Sequence, residues 1–329
     1  MSHGGGGRAM AQLIEELFQR HLDNPALRAG NDGALLERPD GRLVVATDSH
    51  VVSPLFFPGG DIGCLSVHGT LNDVAMMGAR PIALTAGFVL EEGFPLADLA
   101  RIVESMGHAA REAGVPIVTG DTKVVERGKG DGVFINTTGI GVVADGVNPS
   151  GDRARPGDVI LVSGTLGDHG VAIMSVREHL SFTTGIRSDT AALHGLVADM
   201  LAVVPDIHCL RDPTRGGLAA TLNEMAKQSG VGMLIREDDI PVREEVNAAC
   251  ELLGLDPLYV ANEGKLIAIC AREDAGRLLA VMRAHPLGGE AAIIGEVIED
   301  PHRFVQMETS FGGRRNVDWL AGEQLPRIC

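Results

Sequence analysis

Aromatic residues are scarce in this sequence: nine phenylalanines, one tryptophan and one tyrosine among 329 residues. So few rings argue against stacking platforms for single-stranded nucleic acid and against carbohydrate clefts. An excess of positive charge is also missing. Lysine and arginine number 28 against 44 aspartates and glutamates, a formal net charge of −16. A general nucleic-acid binder needs a basic face to neutralise phosphates, so that class is set aside. No apolar run approaches the ~18 residues that cross a bilayer, and the start MSHGGGGRAM lacks the basic-then-apolar order of a secretory signal. Five cysteines, odd in number and without a CxxC pair, make a poor disulfide framework and a poor zinc site. These absences lead to the expectation of a soluble, cytoplasmic protein with neither nucleic acid nor membrane as partner.

What is present is a chain able to bury a large core. Hydrophobic residues make up 45% of it, and the length suits about two domains. Glycine is plentiful, 43 residues with no collagen-like period, as tight turns or close backbone approaches would require. Met10, Leu13, Ile14, Leu17 and Phe18 recur at helical spacing within residues 8–22. The segments 34–38 and 42–47 flank Pro39-Asp40-Gly41 and predict a hairpin. Helices are predicted over 62–77, 96–113, 190–204, 214–229 and 275–284. Strands are predicted over 82–90, 115–119, 133–143, 159–163, 266–270, 291–298 and 304–307. The stretch 145–157, rich in Pro, Gly and Asp, reads as a linker, and periodicity fades from Ser310 onward. The class is therefore α+β or α/β, in two domains with a C-terminal tail.

The standard nucleotide fingerprints fail. There is no GxxxxGK[ST], and Gly139-x-Gly141-x-x-Ala144 runs into Asp145-Gly146 and Pro149 rather than into a helix. Nucleophile elbows and HExxH are absent as well. Acids at strand ends and on a helix remain: Asp48 after Thr47, Asn72-Asp73 within a helix, and Asp121 with Lys123 two residues on. Three carboxylates from separate elements could converge on Mg²⁺, which takes a few carboxylates plus phosphate oxygens. Spacing alone favours the plainer reading of loop acids and helix caps. Two glycine turns, Ser163–Gly170 and Asp212–Gly217, each sit before a predicted helix, where free N–H groups can hold an anion. The last residue is Cys329, and a terminal thiol on a tail can act as a nucleophile or carrier.

These phrases resemble one family along the whole chain. They include Gly4–Gly7, Ala46-Thr47-Asp48-Ser49, Asn72-Asp73-Val74-Ala75, Thr119–Val124, Val162–Gly170, Arg211–Gly217, Asn262-Glu263-Gly264-Lys265 and the terminal Pro326-Arg327-Ile328-Cys329. The family is that of the HypE carbamoyl dehydratases of [NiFe] hydrogenase maturation, within the PurM-like superfamily of aminoimidazole ribonucleotide synthetase. The resemblance implies a PurM-like two-domain fold: residues 1–150 binding ATP and forming a homodimer through their sheet, 151–309 a C-terminal α/β domain, and 310–329 a mobile tail. It implies ATP and Mg²⁺ as cofactors, with Asp48, Asp73 and Asp121 at the metal. Gly5, Gly6, Gly7, Asn72 and Lys123 would join them around the nucleotide. Cys329, Glu263 and Lys123 would be catalytic. The implied reaction is ATP-dependent dehydration of an S-carboxamide on Cys329 to an S-cyanide, the source of the cyanide ligands on iron. A carbamoyltransferase, HypF, would load the thiol, and a HypC–HypD iron scaffold would receive the nitrile. Cys64 departs from the family pattern, which has lysine there. Two other readings fit fewer of these residues: a small-molecule synthase or kinase of the same superfamily, and a non-catalytic scaffold delivering cargo by its tail.

Overall fold

The computed structural model describes residues 7–37, 39–178, 185–320 and 327–328. The chain opens with α1 (Arg8–Leu13), continues through a π-helical stretch (Ile14–Gln19) into α2 (Arg20–Leu22), and then forms α3 (Pro25–Arg28). The expected helix over 8–22 is thus present, with one widened turn. Phe18 from that turn meets Phe88 edge-on, 5.0 Å between ring centres.

The first sheet is made of β1 (Arg42–His50), β4 (Arg80–Glu91), β5 (Ile117–Val125) and β6 (Val133–Val143), in the order β1-β6-β4-β5. Between β1 and β4 lie the two-residue strands β2 (Phe56–Phe57) and β3 (Gly60–Asp61) and the helix α4 (Ile62–Met76); α5 (Leu96–Glu112) joins β4 to β5. The hairpin predicted around Pro39-Asp40-Gly41 does not form. Residues 34–37 belong to no strand, Leu35 lies almost fully exposed, and β1 pairs antiparallel with β6 from Arg42↔Val143 to His50↔Ile135. A nine-residue ladder offers more backbone bonds and a better-buried face than a short local hairpin does. Asp48 and Asp121, expected at strand ends, lie inside β1 and β5.

Helices α4 and α5 cover one face of this sheet. Ile62, Leu65, Leu99 and Ile102 pack with Leu84, Phe88, Ile117 and Ile135. The helices approach closely because Gly63 has no side chain: a Cβ there would stand 2.2 Å from the Ile102 carbonyl oxygen. The other face stays open, with Leu43 62% and Val45 67% exposed.

The second unit holds β7 (Val159–Val162), α6 (Asp168–Arg177), α7 (His194–Val203), β8 (Cys209–Arg211), α8 (Gly217–Ser229), β9 (Gly232–Arg236), α9 (Glu244–Leu253), β10 (Ile267–Cys270), α10 (Ala275–Ala284), β11 (Ala292–Ile298), β12 (Val305–Glu308) and β13 (Arg314–Asn316). Its sheet runs β13-β12-β9-β11-β7-β10-β8. Both faces are covered, so its strands read as unbroken apolar runs. Ile160 and Val162 pack towards α8, while Val159 and Leu161 pack towards α7 and α10. Short β8 and β9, and α9, escaped the sequence pattern. Helix α8 begins at Gly217 and not at Thr214, because Gly216 and Gly217 both take positive φ, +82° and +61°. The segment before α7 is likewise not helical until His194.

The tail expected from residue 310 does not begin there. Gly312 and Gly313 make a turn, β13 pairs with β12, and Val317 is buried with its carbonyl accepting a bond from Asn223. Glycines that mask periodicity mark a hairpin in this case. Replacing Gly63 with Ala should lower the stability of the chain by about 1–3 kcal/mol, since backbone must move to admit the methyl. Urea denaturation measures it, and an unchanged midpoint would contradict the packing described.

Candidate active site

Acidic side chains from both units meet at their junction. Asp48 projects from β1 towards α4, its carboxylate near Gly69, while the glycine itself makes room for the neighbouring His50 ring: a Cβ there would lie 3.0 Å from His50 Cε1. Asp73 stands on α4, and the second unit contributes Asp212, just after β8, and Glu263, just before β10. Burial, then the Asp212 and Asp48 carboxylates, push the Asp73 carboxyl up to about 7. Asp212 is pushed up to about 6, chiefly by burial, although its own backbone and Arg211 pull the other way. Glu263 is 3% exposed and lifted well above the usual carboxylate range by burial, then by Asp212, Asp189, Asp48 and Asp73. Among the described residues its buried Oε1 has no hydrogen-bond partner. A salt bridge from Glu263 to Lys265 or Lys123 would be the ordinary role for such a glutamate. Instead Lys265 pairs with Asp189 at 3.1 Å and Lys123 with Asp121 at 2.7 Å.

Asn72 holds the junction together. Its Nδ2 donates to the carbonyls of Ala191 and Glu263, at 3.0 and 3.2 Å, and its Oδ1 accepts from the Leu193 N–H at 2.8 Å. All three bonds cross from the first unit to the second, so Asn72 is a structural tie between them. Asp189 reinforces the tie by accepting the Glu263 N–H at 3.0 Å.

Asp121 does not join this cluster within one chain. Across the sheet, Asp48 is level with Thr137 and Ala86, which pairs with Gly120, while Asp121 is level with Gly87, Asn136 and Ser49. Successive residues of a strand point to opposite faces, so Asp121 and Lys123 lie on the open face, and Asp48 lies on the helix face. Three strand spacings, about 14 Å, separate the two acids besides. Among the described residues no three His, Cys, Asp or Glu side chains stand ready to hold a metal ion. Within one chain, then, the expected trio of Asp48, Asp73 and Asp121 is not brought together. Asp48, Asp73 and Asp212 fit a hard divalent cation in chemistry, being oxygen donors whose mutual repulsion a cation would relieve.

Asp121 and Lys123 instead border a cavity of about 470 Å³ between the N-terminal helix and β5. Met10, Ile14, Phe18 and Phe88 give it apolar walls. Gly7 caps α1 nearby in chain order; Gly5, Gly6 and Cys329 lie outside the described residues. Cys64, the departure from the family pattern, closes the N-terminus of α4. Its Sγ accepts from the Asp61 N–H and donates to the Asp61 carbonyl, both at 3.3 Å, and burial pushes its thiol up to about 11.

Residues that sequence reasoning missed come from the far end of the chain and what it touches. Ile328 is 1% exposed, and its carbonyl accepts from Nε2 of His169, a fully buried ring on α6, at 2.8 Å. Asp212 was read only within a glycine turn able to hold an anion and not as a partner of the other acids, and Asp189 gave no signal at all.

Two domain patterns cover most of the chain. Residues 30–143 match the N-terminal domain of AIR synthase related proteins and residues 155–308 their C-terminal domain. The chain is thus a two-domain, PurM-like protein with an acidic junction site. Carbamoyl dehydratase HypE of Azotobacter vinelandii is 74% identical over 329 residues, which is 100% of this chain and 96% of that one. A crystal structure of hydrogenase maturation protein HypE in complex with ATP matches with a TM-score of 0.96 at 56% identity, covering 100% of this chain and 99% of that one. A chain from the crystal structure of a HypE–HypF complex matches with a TM-score of 0.83 at 52% identity, covering 94% and 99%. Within that class, this chain belongs to the HypE family.

The crowded carboxyls give a pH signature. In the absence of divalent cations, stability should fall as pH rises from 3.8, the ordinary aspartate value, to about 7. Over that window the unfolded chain has already lost the Asp73 proton that the folded chain retains. Magnesium should therefore raise the thermal midpoint more at pH 8 than at pH 5, and Asp73→Asn should flatten the slope. An equal magnesium effect at both pH values would argue against a cation among these acids.

Proposed function

We propose that this protein dehydrates an S-carboxamide carried on its own Cys329, forming an S-cyanide at the expense of ATP, for the iron of [NiFe] hydrogenase. The observation that carries this reading is the placement of the chain's end. Ile328 is held by His169, the charge of Asp189 acts on that ring, and Asp189 also fixes the backbone of Glu263. The substrate-bearing residue would thus follow directly on one whose partner, His169, is linked through Asp189 to Glu263.

An amide oxygen is a poor leaving group, so the reaction needs activation. The carboxamide oxygen attacks the γ-phosphorus of ATP and ADP departs. The C–O bond then breaks, phosphate leaves with the oxygen, and two N–H protons are lost as S–C≡N forms. Mg²⁺ held by Asp48, Asp73 and Asp212 would neutralise phosphate oxygens. Glu263 receives a proton from the carboxamide nitrogen; its raised pKa makes its carboxylate an effective base. The apolar cavity beside β5 suits a nucleotide base, with Asp121 and Lys123 at its border. A homodimer through the open face would cover Leu43 and Val45 and bring Asp121 and Lys123 to the seam. HypF as the loading enzyme rests on the HypE–HypF complex of a relative; HypC–HypD as acceptor rests on family resemblance. A superfamily kinase acting on a small molecule would leave the docked chain end without a purpose.

With the transcarbamoylase, carbamoyl phosphate and MgATP, mass spectrometry should show a carboxamide on Cys329 that then loses the mass of one water. Glu263→Gln should stop the second step by about 10²–10⁴-fold and leave the first intact. Modification on Cys64, Cys209, Cys250 or Cys270 instead would overturn the assignment. For the dimer, solution mass should be twice the 34.5 kDa of one chain, and Val45→Glu should return it to one. A native monomer at micromolar concentration would contradict the pairing.

A further inference from the structure

The grip on the chain end is local. The Arg327 carbonyl accepts from the Ser53 N–H at 3.2 Å and from the Arg177 guanidinium, which also bonds the Ser53 carbonyl. The Arg327 side chain pairs with Asp131. One residue on, the Ile328 carbonyl takes the Nε2 proton of His169. A carbonyl can only accept, so the proton sits on Nε2, and Nδ1 accepts from the Ser188 hydroxyl at 2.8 Å. The neutral tautomer of this buried ring is fixed by its two partners. The Ile328 side chain joins the apolar core of the first unit. Arg327 is held with φ +53°, a region that residues other than glycine seldom enter. The socket, formed by Ser53, Asp131, His169 and Arg177, thus reads two backbone carbonyls, one arginine and one isoleucine.

None of these contacts needs the peptide to be joined to the rest of the chain. A tether raises local concentration, to the millimolar range for a short flexible one, and adds no contact of its own. Resting on the function proposed above, we propose that the same site works in trans. Its further substrates are free peptides ending in Arg-Ile-Cys with an S-carboxamide on the terminal sulfur, and each active site converts many of them. The balance is that of the tethered reaction: RS–C(=O)NH₂ and ATP give RS–C≡N, ADP and phosphate, with the amide oxygen leaving on phosphorus. A product peptide, unlike the protein's own tail, diffuses away and empties the socket.

The test uses the full-length chain carrying Ile328→Asp and Cys329→Ala, so that its own tail neither fills the socket nor offers a thiol. It is mixed with MgATP and the synthetic peptide Leu-Pro-Arg-Ile-Cys, S-carbamoylated with cyanate. The expected result is loss of one water mass from the peptide, over many equivalents per chain, with half-saturation at about 1 mM or below. A peptide with Asp in place of Ile should react at least tenfold more slowly. Should the double variant fold poorly, the native chain without a carboxamide serves, its own tail acting as a competitor. The native chain loaded on Cys329 is the control. Conversion there, with no peptide turnover at about 10 mM, would overturn the trans activity alone. Equal rates for the Ile and Asp peptides would overturn it too, because the socket would not be what selects the substrate. No conversion in either arm would remove the tethered reaction and this one together.

Discussion

Asp48, Asp73, Asp212 and Glu263 repel one another at the seam between two units, and the folding of both units has to hold them there. Lys265 is committed to Asp189, and Arg211 offsets only part of the charge on Asp73 and Asp212. The compensation is apolar and lies at a distance. One core under the first sheet and two on either face of the second bury more than a dozen large side chains completely, each worth about 1.5–3 kcal/mol. Asn72 then locks the units in register through three hydrogen bonds, without which either could shift and let the acids part. Stability is stored in the cores and expressed as strain-bearing electrostatics at the junction, where, under the proposed function, a cation would be drawn in.

The docked chain end adds a second constraint. Under the proposed function the tail is loaded and unloaded by other proteins, and it then has to be held weakly enough to leave. The Arg327–Asp131 pair is half-exposed on both sides and contributes little of the hold. Burial of Ile328 and the bonds from His169 and Arg177 supply most of it, while the uncommon backbone conformation of Arg327 works against it. A grip assembled from a few local contacts and opposed by a local cost can be reversed.

Much of the architecture was legible from sequence. Long elements with strong patterns, such as α4, α5, β6 and α10, were placed to within a residue or two, because their burial imposes a clear period on the chain. Strand β8, with three residues, has too few to show one. The hairpin expected at Pro39-Asp40-Gly41 had the right turn residues, yet β1 found a longer partner 90 residues away in sequence. The tail was drawn too long because Gly312 and Gly313 hide the pairing of β13 with β12.

For the site, the sequence by itself determined its chemical inventory: acids in separate motifs, glycine turns, a terminal thiol, and a pattern specific enough to name the family. Residue identity and spacing carry that information, since catalysis limits which groups can serve. Which acids share a space was decided only by the tertiary structure. Alternation along a strand sends Asp121 to the opposite face from Asp48, and the closing of one unit on the other brings Asp212 and Glu263 alongside Asp73. Neither fact is local to any motif. Both follow from pairing register and packing between segments far apart in the chain, and the same packing creates the buried surroundings that raise Asp73 and Glu263 above ordinary carboxyl groups.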